Sequence, residues 1–277
     1  MNARPETELI ELRLLLEAIF LQYGHDFRNY SLAHLKRRAE YRMTLSGLAS
    51  ISQLQHGILH DKAMFQTFLQ DLSINVSEMF RDPPFYKALR DEILPMLGTY
   101  PSFRIWHAGC SAGQEVYSMV ILLHEAGIRE RGQIYATDFN GAILEQAREA
   151  AFPLANLKDY TTKYQQAGGQ NSFADYYTAD NSRAVLRPFL KDRILFSEHN
   201  LVTDGVFGEM QLIVCRNVLI YFDRDLQDRV VGLFADSLCP GGFLCLGTKE
   251  SLKFSKHADR FDIVRDNVKI YRKRRDA

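Results

Sequence analysis

The feature that most constrains this chain is a texture that begins at Phe103. Short apolar runs there alternate with stretches whose apolar residues recur at three and four, the pattern of a mostly parallel sheet with helices on both faces. "FRIWHAG" reads as a strand, "GQEVYSMVILLHEAG" as a helix, "QIYATD" as a strand and "NGAILEQAREAAF" as a helix. After an interruption come the strands "RILFSEHN" and "MQLIVCRN", the helix "DRDLQDRVVGLFADSL" and the strand "GGFLCLGT". The end, "FDIVRDNVKIYRK", reads as a hairpin around "RDN", which predicts an antiparallel close to the sheet. The interruption, residues 158–192, holds "QQAGGQNS", read as a flexible connector, and "ADYYTADNSRAVLRPFL", read as a few short strands outside the main sheet.

The first 75 residues have a different texture: their only glycines are Gly24, Gly47 and Gly57, and their only proline is Pro5. "ELIELRLLLEAIFLQYG" ends at a glycine as a helix does, "SLAHLKRRAEYRM" begins at a serine cap, and "DKAMFQTFLQDLS" continues the helical period. The expected fold is therefore α/β: a helical domain over residues 1–75, then a Rossmann-like domain over 76–277 carrying a small antiparallel β insertion at about 171–192.

Charge narrows the function. The 34 Lys/Arg balance 34 Asp/Glu, which argues against affinity won by neutralising nucleic-acid phosphates or an anionic membrane. The start, "MNARPETELIELRLLLEAIF", has acids scattered among its apolar residues, unlike a signal peptide or a membrane span, and a cytoplasmic location is expected. Cys110, Cys215, Cys239 and Cys245 form no CxxC pair and no HExxH spacing occurs, so neither a metal nor a disulfide is expected.

The first strand ends in "AGCSAGQE", with Gly109 and Gly113 enclosing small residues. In a doubly wound fold this turn lies where a ligand approaches the backbone at the start of a helix. A dinucleotide fingerprint would need glycines at 109, 111 and 114, where the chain has Ser111 and Gln114. A GxSxG hydrolase reading of Ser111 lacks a convincing Ser, acid, His order. The second strand ends at Asp138, placed to accept both hydroxyls of a ribose, with a helix cap as the plainer alternative. Glycine turn and acid together favour an adenosine ligand, and the missing nicotinamide spacing favours S-adenosylmethionine over NAD.

"NVSEMFRD" (75–82), "WHAGCSAGQEVYSM" (106–119), "ATDFN" (136–140), "FSEHNL" (196–201) and "IVCRNVLIYFD" (213–223) resemble, in order and spacing, the CheR-type chemoreceptor glutamate methyltransferases. The resemblance spans nearly the whole chain. It implies a class I methyltransferase domain, S-adenosylmethionine as cofactor with S-adenosylhomocysteine as product, and cofactor contacts at Asn75, Ser77, Arg81, Glu115, Asp138, Asn200, Leu201, Cys215 and Arg216, beside the turn glycines Gly109 and Gly113. It implies no nucleic-acid partner, no membrane insertion and a monomer acting on the cytoplasmic helices of a receptor. In the family a basic helix of the N-terminal domain meets acidic receptor helices, and Lys36, Arg37, Arg38 and Arg42 suit that task. In some relatives the β subdomain captures a receptor's C-terminal peptide by edge pairing.

Arg216 interrupts the apolar run "LIVCRNVLIYF", and a buried guanidinium without a partner is very expensive. The expected partner is the incoming substrate carboxylate, which a guanidinium matches two-pronged, with Tyr221 offering a hydroxyl and Arg81 closing over the cofactor. A salt bridge within the protein is the alternative for Arg216. A catalytically idle receptor-binding module and a nucleic-acid methyltransferase are the rival readings of the whole chain.

Overall fold

The computed structural model describes residues 6–72, 77–180 and 182–276. The chain divides into two compact units, one of Met1–Ile74 with Tyr221–Arg229 and one of Asn75–Ile220 with Val230–Ala277.

The helical unit contains α1 (Thr7–Tyr23), α2 (Leu32–Ser46), α3 (Ile51–His60) and α4 (Lys62–Leu72). Gly24 ends α1 in the left-handed conformation, its N–H bonded to the Phe20 carbonyl, because glycine takes that conformation without steric cost. Ser31 does precede α2 as expected, but its side chain makes no capping bond, whereas Ser50 caps α3 by accepting the Gln53 N–H. Leu12, Leu15, Leu16 and Ile19 of α1 are buried with Leu35, Leu54, Ile58 and Phe68 of the other three helices, which gives this unit its own apolar core. The segment from Tyr221, expected in the second domain, belongs here: the Ser31 N–H donates to the Tyr221 carbonyl, and Tyr30 bridges Phe222.

The second unit runs through α5 (Pro83–Ala88), α6 (Leu94–Leu97), β1 (Phe103–Ala108), α7 (Gln114–Glu125), β2 (Gly132–Asp138), α8 (Gly141–Glu149), β3 (Ala151–Pro153) and α9 (Leu157–Gln166). There follow β4 (Tyr177–Ala179), β5 (Arg183–Leu186), β6 (Ile194–Glu198), β7 (Met210–Cys215), α10 (Arg224–Ser237), whose first turns count with the helical unit, β8 (Leu238–Leu246), β9 (Phe261–Arg265) and β10 (Ile270–Lys273). The seven-stranded sheet has the order β6-β2-β1-β7-β8-β10-β9, parallel except where β10 pairs with β8 and β9. β1 therefore lies between β2 and β7, so the order reverses beside it, and the crevice at the carboxyl ends of β1 and β7 is where such sheets hold ligands.

Two local expectations fail. The helix begun at Gly141 stops at Glu149, because Ala150 turns into the left-handed region (φ 54°) and Ala151–Pro153 pairs with β5 as a third strand of the small sheet β3-β5-β4. The supposed flexible connector begins inside a helix, since Gln165 and Gln166 end α9. The rest is tied to the buried Glu125 carboxylate, which accepts the Tyr164 and Tyr176 hydroxyls and the Gln170 N–H and pairs with Arg90. A carboxylate with that many donors anchors a polar loop that composition alone marks as loose.

Candidate functional site

The site grows from the turn after β1. Gly109, Ser111 and Gly113 all have positive φ (74°, 51° and 84°), so the chain curls tightly between strand and helix. A side chain at Gly109 would stand 2.6 Å from the Val218 methyl, and one at Gly113 would crowd Ala147 and Tyr117. Glycine is thus required at both positions by conformation and by space.

Asp138, at the end of β2, holds this turn. Its Oδ2 accepts the Ser111 N–H at 2.9 Å and its Oδ1 the Asn140 N–H at 3.1 Å. Burial raises its carboxyl above the ordinary range, against the opposing pull of the Ser111, Asn140 and Phe139 N–H groups. The cap of α8 is Asn140, whose side chain accepts the Ala142 N–H, so Asp138 is not spent as a helix cap. A carboxylate has about four lone-pair directions, and the three N–H groups that act on Asp138 leave capacity for a further donor.

Arg216 follows the last residue of β7, its side chain 1 % exposed. One terminal nitrogen donates to Glu115 at 2.7 Å and to the Arg81 carbonyl at 3.3 Å, the other to Asp82 at 2.6 Å, and the guanidinium lies 4.0 Å from the centre of the Phe85 ring. The partner expected to arrive with the substrate is already present, supplied by two carboxylates of the protein. Burial pushes the Glu115 carboxyl up, but Arg216 and then His107 outweigh it and hold it below its ordinary value. His107 is buried on β1 with its Nδ1 3.7 Å from Glu115, and neither ring nitrogen has a hydrogen-bond partner among the described residues. Two carboxylates converge on one guanidinium here, an arrangement that suits a cationic ligand.

The other expected residues fall as follows. Ser77 lines a cleft of about 440 Å³ with Glu78, Ala112, Gln114, Ile143 and Asp159, beside the glycine turn. The Arg81 side chain forms no ion pair among the described residues, and only its carbonyl is engaged with Arg216. Asn200 builds a turn after β6, its Oδ1 accepting the Val202 N–H, and Leu201 beside it is buried. Cys215 is fully buried, and burial raises its thiol well above the usual range. Tyr221 lies in the helical unit, its ring 4.7 Å from that of His34. Asn75 lies outside the described residues. Of the basic helix face, Lys36 pairs with Glu8 and Arg42 with Asp71, while Arg37 and Arg38 have no carboxylate partner among the described residues.

Asp82, His107 and Glu250 are absent from the sequence-level site. Asp82 stands beside Arg81 in a motif already recognised, and an acid next to a cation there was a usable signal. Glu250 follows β8 in "GTKES", where nothing local distinguishes it from a surface acid.

The carboxylates around Arg216, the curled glycine turn and, beside it, the Ser111 hydroxyl and Gln114 carbonyl that have no partner among the described residues fit a nucleoside cofactor with a cationic end. Comparisons with known proteins agree. Residues 75–270 match the family described as CheR methyltransferase, SAM binding domain, and residues 10–73 match CheR methyltransferase, all-alpha domain. The chain is 50% identical over 273 residues to a candidate methyltransferase named Cher3 from Pseudomonas putida, covering 99% of this chain and 100% of that one. It is 29% identical over 245 residues to chemotaxis protein methyltransferase 1 of Vibrio cholerae (85% and 86% covered) and 28% over 231 residues to the chemotaxis protein methyltransferase of Listeria innocua (83% and 85%).

Proposed function

Because this chain belongs to the CheR methyltransferase family, we propose that it transfers the methyl group of S-adenosylmethionine to glutamate side chains of a chemoreceptor, forming methyl esters. The observation that carries the reading is the lock between the glycine turn and Asp138 at the switch point of the sheet, which presents an acid beside a strand-to-helix turn. The relatives named as chemotaxis protein methyltransferases support the choice of a signalling protein as substrate.

When bound, the cofactor supplies a methyl group activated by its sulfonium. Asp138 takes the ribose hydroxyls with the capacity that its main-chain donors leave, and the carboxylates around Arg216 favour the cationic amino-acid end. A glutamate carboxylate is already ionised at neutral pH and needs no general base, so the protein's work is to place it in line and strip its water. Arg81, whose guanidinium forms no ion pair among the described residues, is the residue to receive that carboxylate. Arg216 acts one step back by holding Glu115 and Asp82. Arg37 and Arg38, on α2, are offered to the acidic receptor helices.

Incubation with methyl-labelled S-adenosylmethionine and cytoplasmic receptor fragments tests this. The expected outcome is label on the receptor that mild base releases as methanol. Base-stable label would mean another acceptor atom, and S-adenosylhomocysteine binding without any transfer would mean an idle binding module.

A further inference from the structure

The loop that leaves β7 is gripped by a carboxylate to which the reading above gives no role. Glu250 is only 5 % exposed. Its Oε1 accepts the N–H groups of Val218 (2.9 Å) and Ile220 (3.3 Å), and its Oε2 those of Asn217 (3.0 Å) and Gly247 (2.5 Å). No cation pairs with it among the described residues; burial pushes its carboxyl above the ordinary range, and the opposing pull comes from main-chain donors alone, three of which belong to the loop just after Arg216. Such bonds to an ionised acceptor are shorter and about twice as strong as neutral ones.

The loop needs that hold. Asn217 sits in the left-handed region (φ 63°), which asparagine tolerates better than most residues but which still needs surrounding bonds to hold it. Gly247 is where the two segments meet: a Cβ there would lie 2.8 Å from both the Asn217 nitrogen and Glu250 Oε2, so glycine alone permits the approach. Val218, the next residue held, is the one whose methyl closes over Gly109 of the cofactor turn. One carboxylate therefore sets the positions of a residue that abuts the glycine turn and of the backbone immediately following Arg216.

We propose that Glu250 is a positioning residue for methyl transfer: by binding the N–H groups of Asn217, Val218 and Ile220 it fixes the loop that carries Arg216, and so the geometry of Glu115, Asp82 and the glycine turn at the cofactor. This rests on the methyltransferase reading. Glu250→Gln keeps the volume but replaces one acceptor oxygen with an amide that cannot accept, which strands two N–H groups. Glu250→Asp keeps the charge and shortens the reach by one methylene.

The protein and both variants are compared by amide hydrogen exchange, S-adenosylhomocysteine titration and receptor-fragment methylation. In Glu250→Gln, exchange at Asn217, Val218, Ile220 and Gly247 accelerates while β1 and β2 keep their protection. Cofactor affinity drops severalfold and kcat falls at least about tenfold, with the receptor KM within about twofold, as expected when reacting groups are misplaced but docking is intact. Glu250→Asp retains more activity than Glu250→Gln, and serves for every measurement if the glutamine variant does not fold. Exchange that accelerates equally throughout the unit, or a loosened loop with unchanged affinity and kcat, overturns the proposal. A wild-type protein that neither binds S-adenosylhomocysteine nor transfers label overturns the methyltransferase reading itself, and the wild-type control separates that failure from the other.

Discussion

A single arginine in the second unit and a pair in the helical unit are built in opposite ways. In the second unit the Arg216 guanidinium is enclosed, bonded to Glu115 and Asp82 and laid against the Phe85 ring. In the helical unit Arg37 and Arg38 flank a buried histidine and meet no carboxylate among the described residues, Arg37 donating weakly to His34 Nδ1 at 3.4 Å. Their influence is visible on His34, whose pKa is lowered to about 4 by burial first, then by Arg38 and Arg37. Charge neutralised inside a unit fixes geometry, whereas charge left uncompensated at a surface is available to a partner of opposite sign.

The sharpest way to break this contrast is to remove the enclosed cation. Arg216→Ala removes the cation that Glu115 and Asp82 share, and since both carboxylates keep some contact with solvent the cost should fall below the roughly 3–5 kcal/mol of breaking a fully buried pair. A large fall in melting temperature should accompany weaker S-adenosylhomocysteine binding and lost methylation. Arg216→Lys should recover little, since an ammonium lacks the planar fork that spans two carboxylates. A folded Arg216→Ala protein melting like the wild type would show that the enclosure does not matter.

A smaller effect is expected at the arginine pair. Reversing Arg37 and Arg38 to glutamate should slow receptor methylation by roughly tenfold at low salt and flatten its salt dependence, while cofactor affinity holds. Identical rates at low salt for the double variant would remove these residues from docking.

The smallest effect concerns His34. Its folded pKa lies below the unfolded value of about 6.5, so it contributes stability that is present above that value and is lost as the pH falls toward 4. Between pH 7 and pH 5 the loss should be on the order of 1 kcal/mol, and His34→Gln should abolish it. Equal acid-side losses in melts of the two proteins would show that His34 is not the group whose protonation destabilises the fold.

What the sequence determined by itself is what repeats over short distances. The alternation from Phe103 encodes the sheet and its covering helices, and the same local period encodes the helical domain. Gly109, Gly113 and Asp138 were legible because turn chemistry and strand ends are written within a few residues of one another. The tertiary structure decided who partners whom. Arg216 finds Glu115 and Asp82 across 101 and 134 positions of chain, and Glu250 reaches the β7 loop across 30 to 33. The same holds for Ala151–Pro153, read as the end of a helix until β5 offers it a ladder, and for the connector that Glu125 ties down. A buried charge must be compensated, and that requirement is readable from one residue in an apolar run. Which group compensates it depends on the path of the chain through space, and local patterns carry no information about that path.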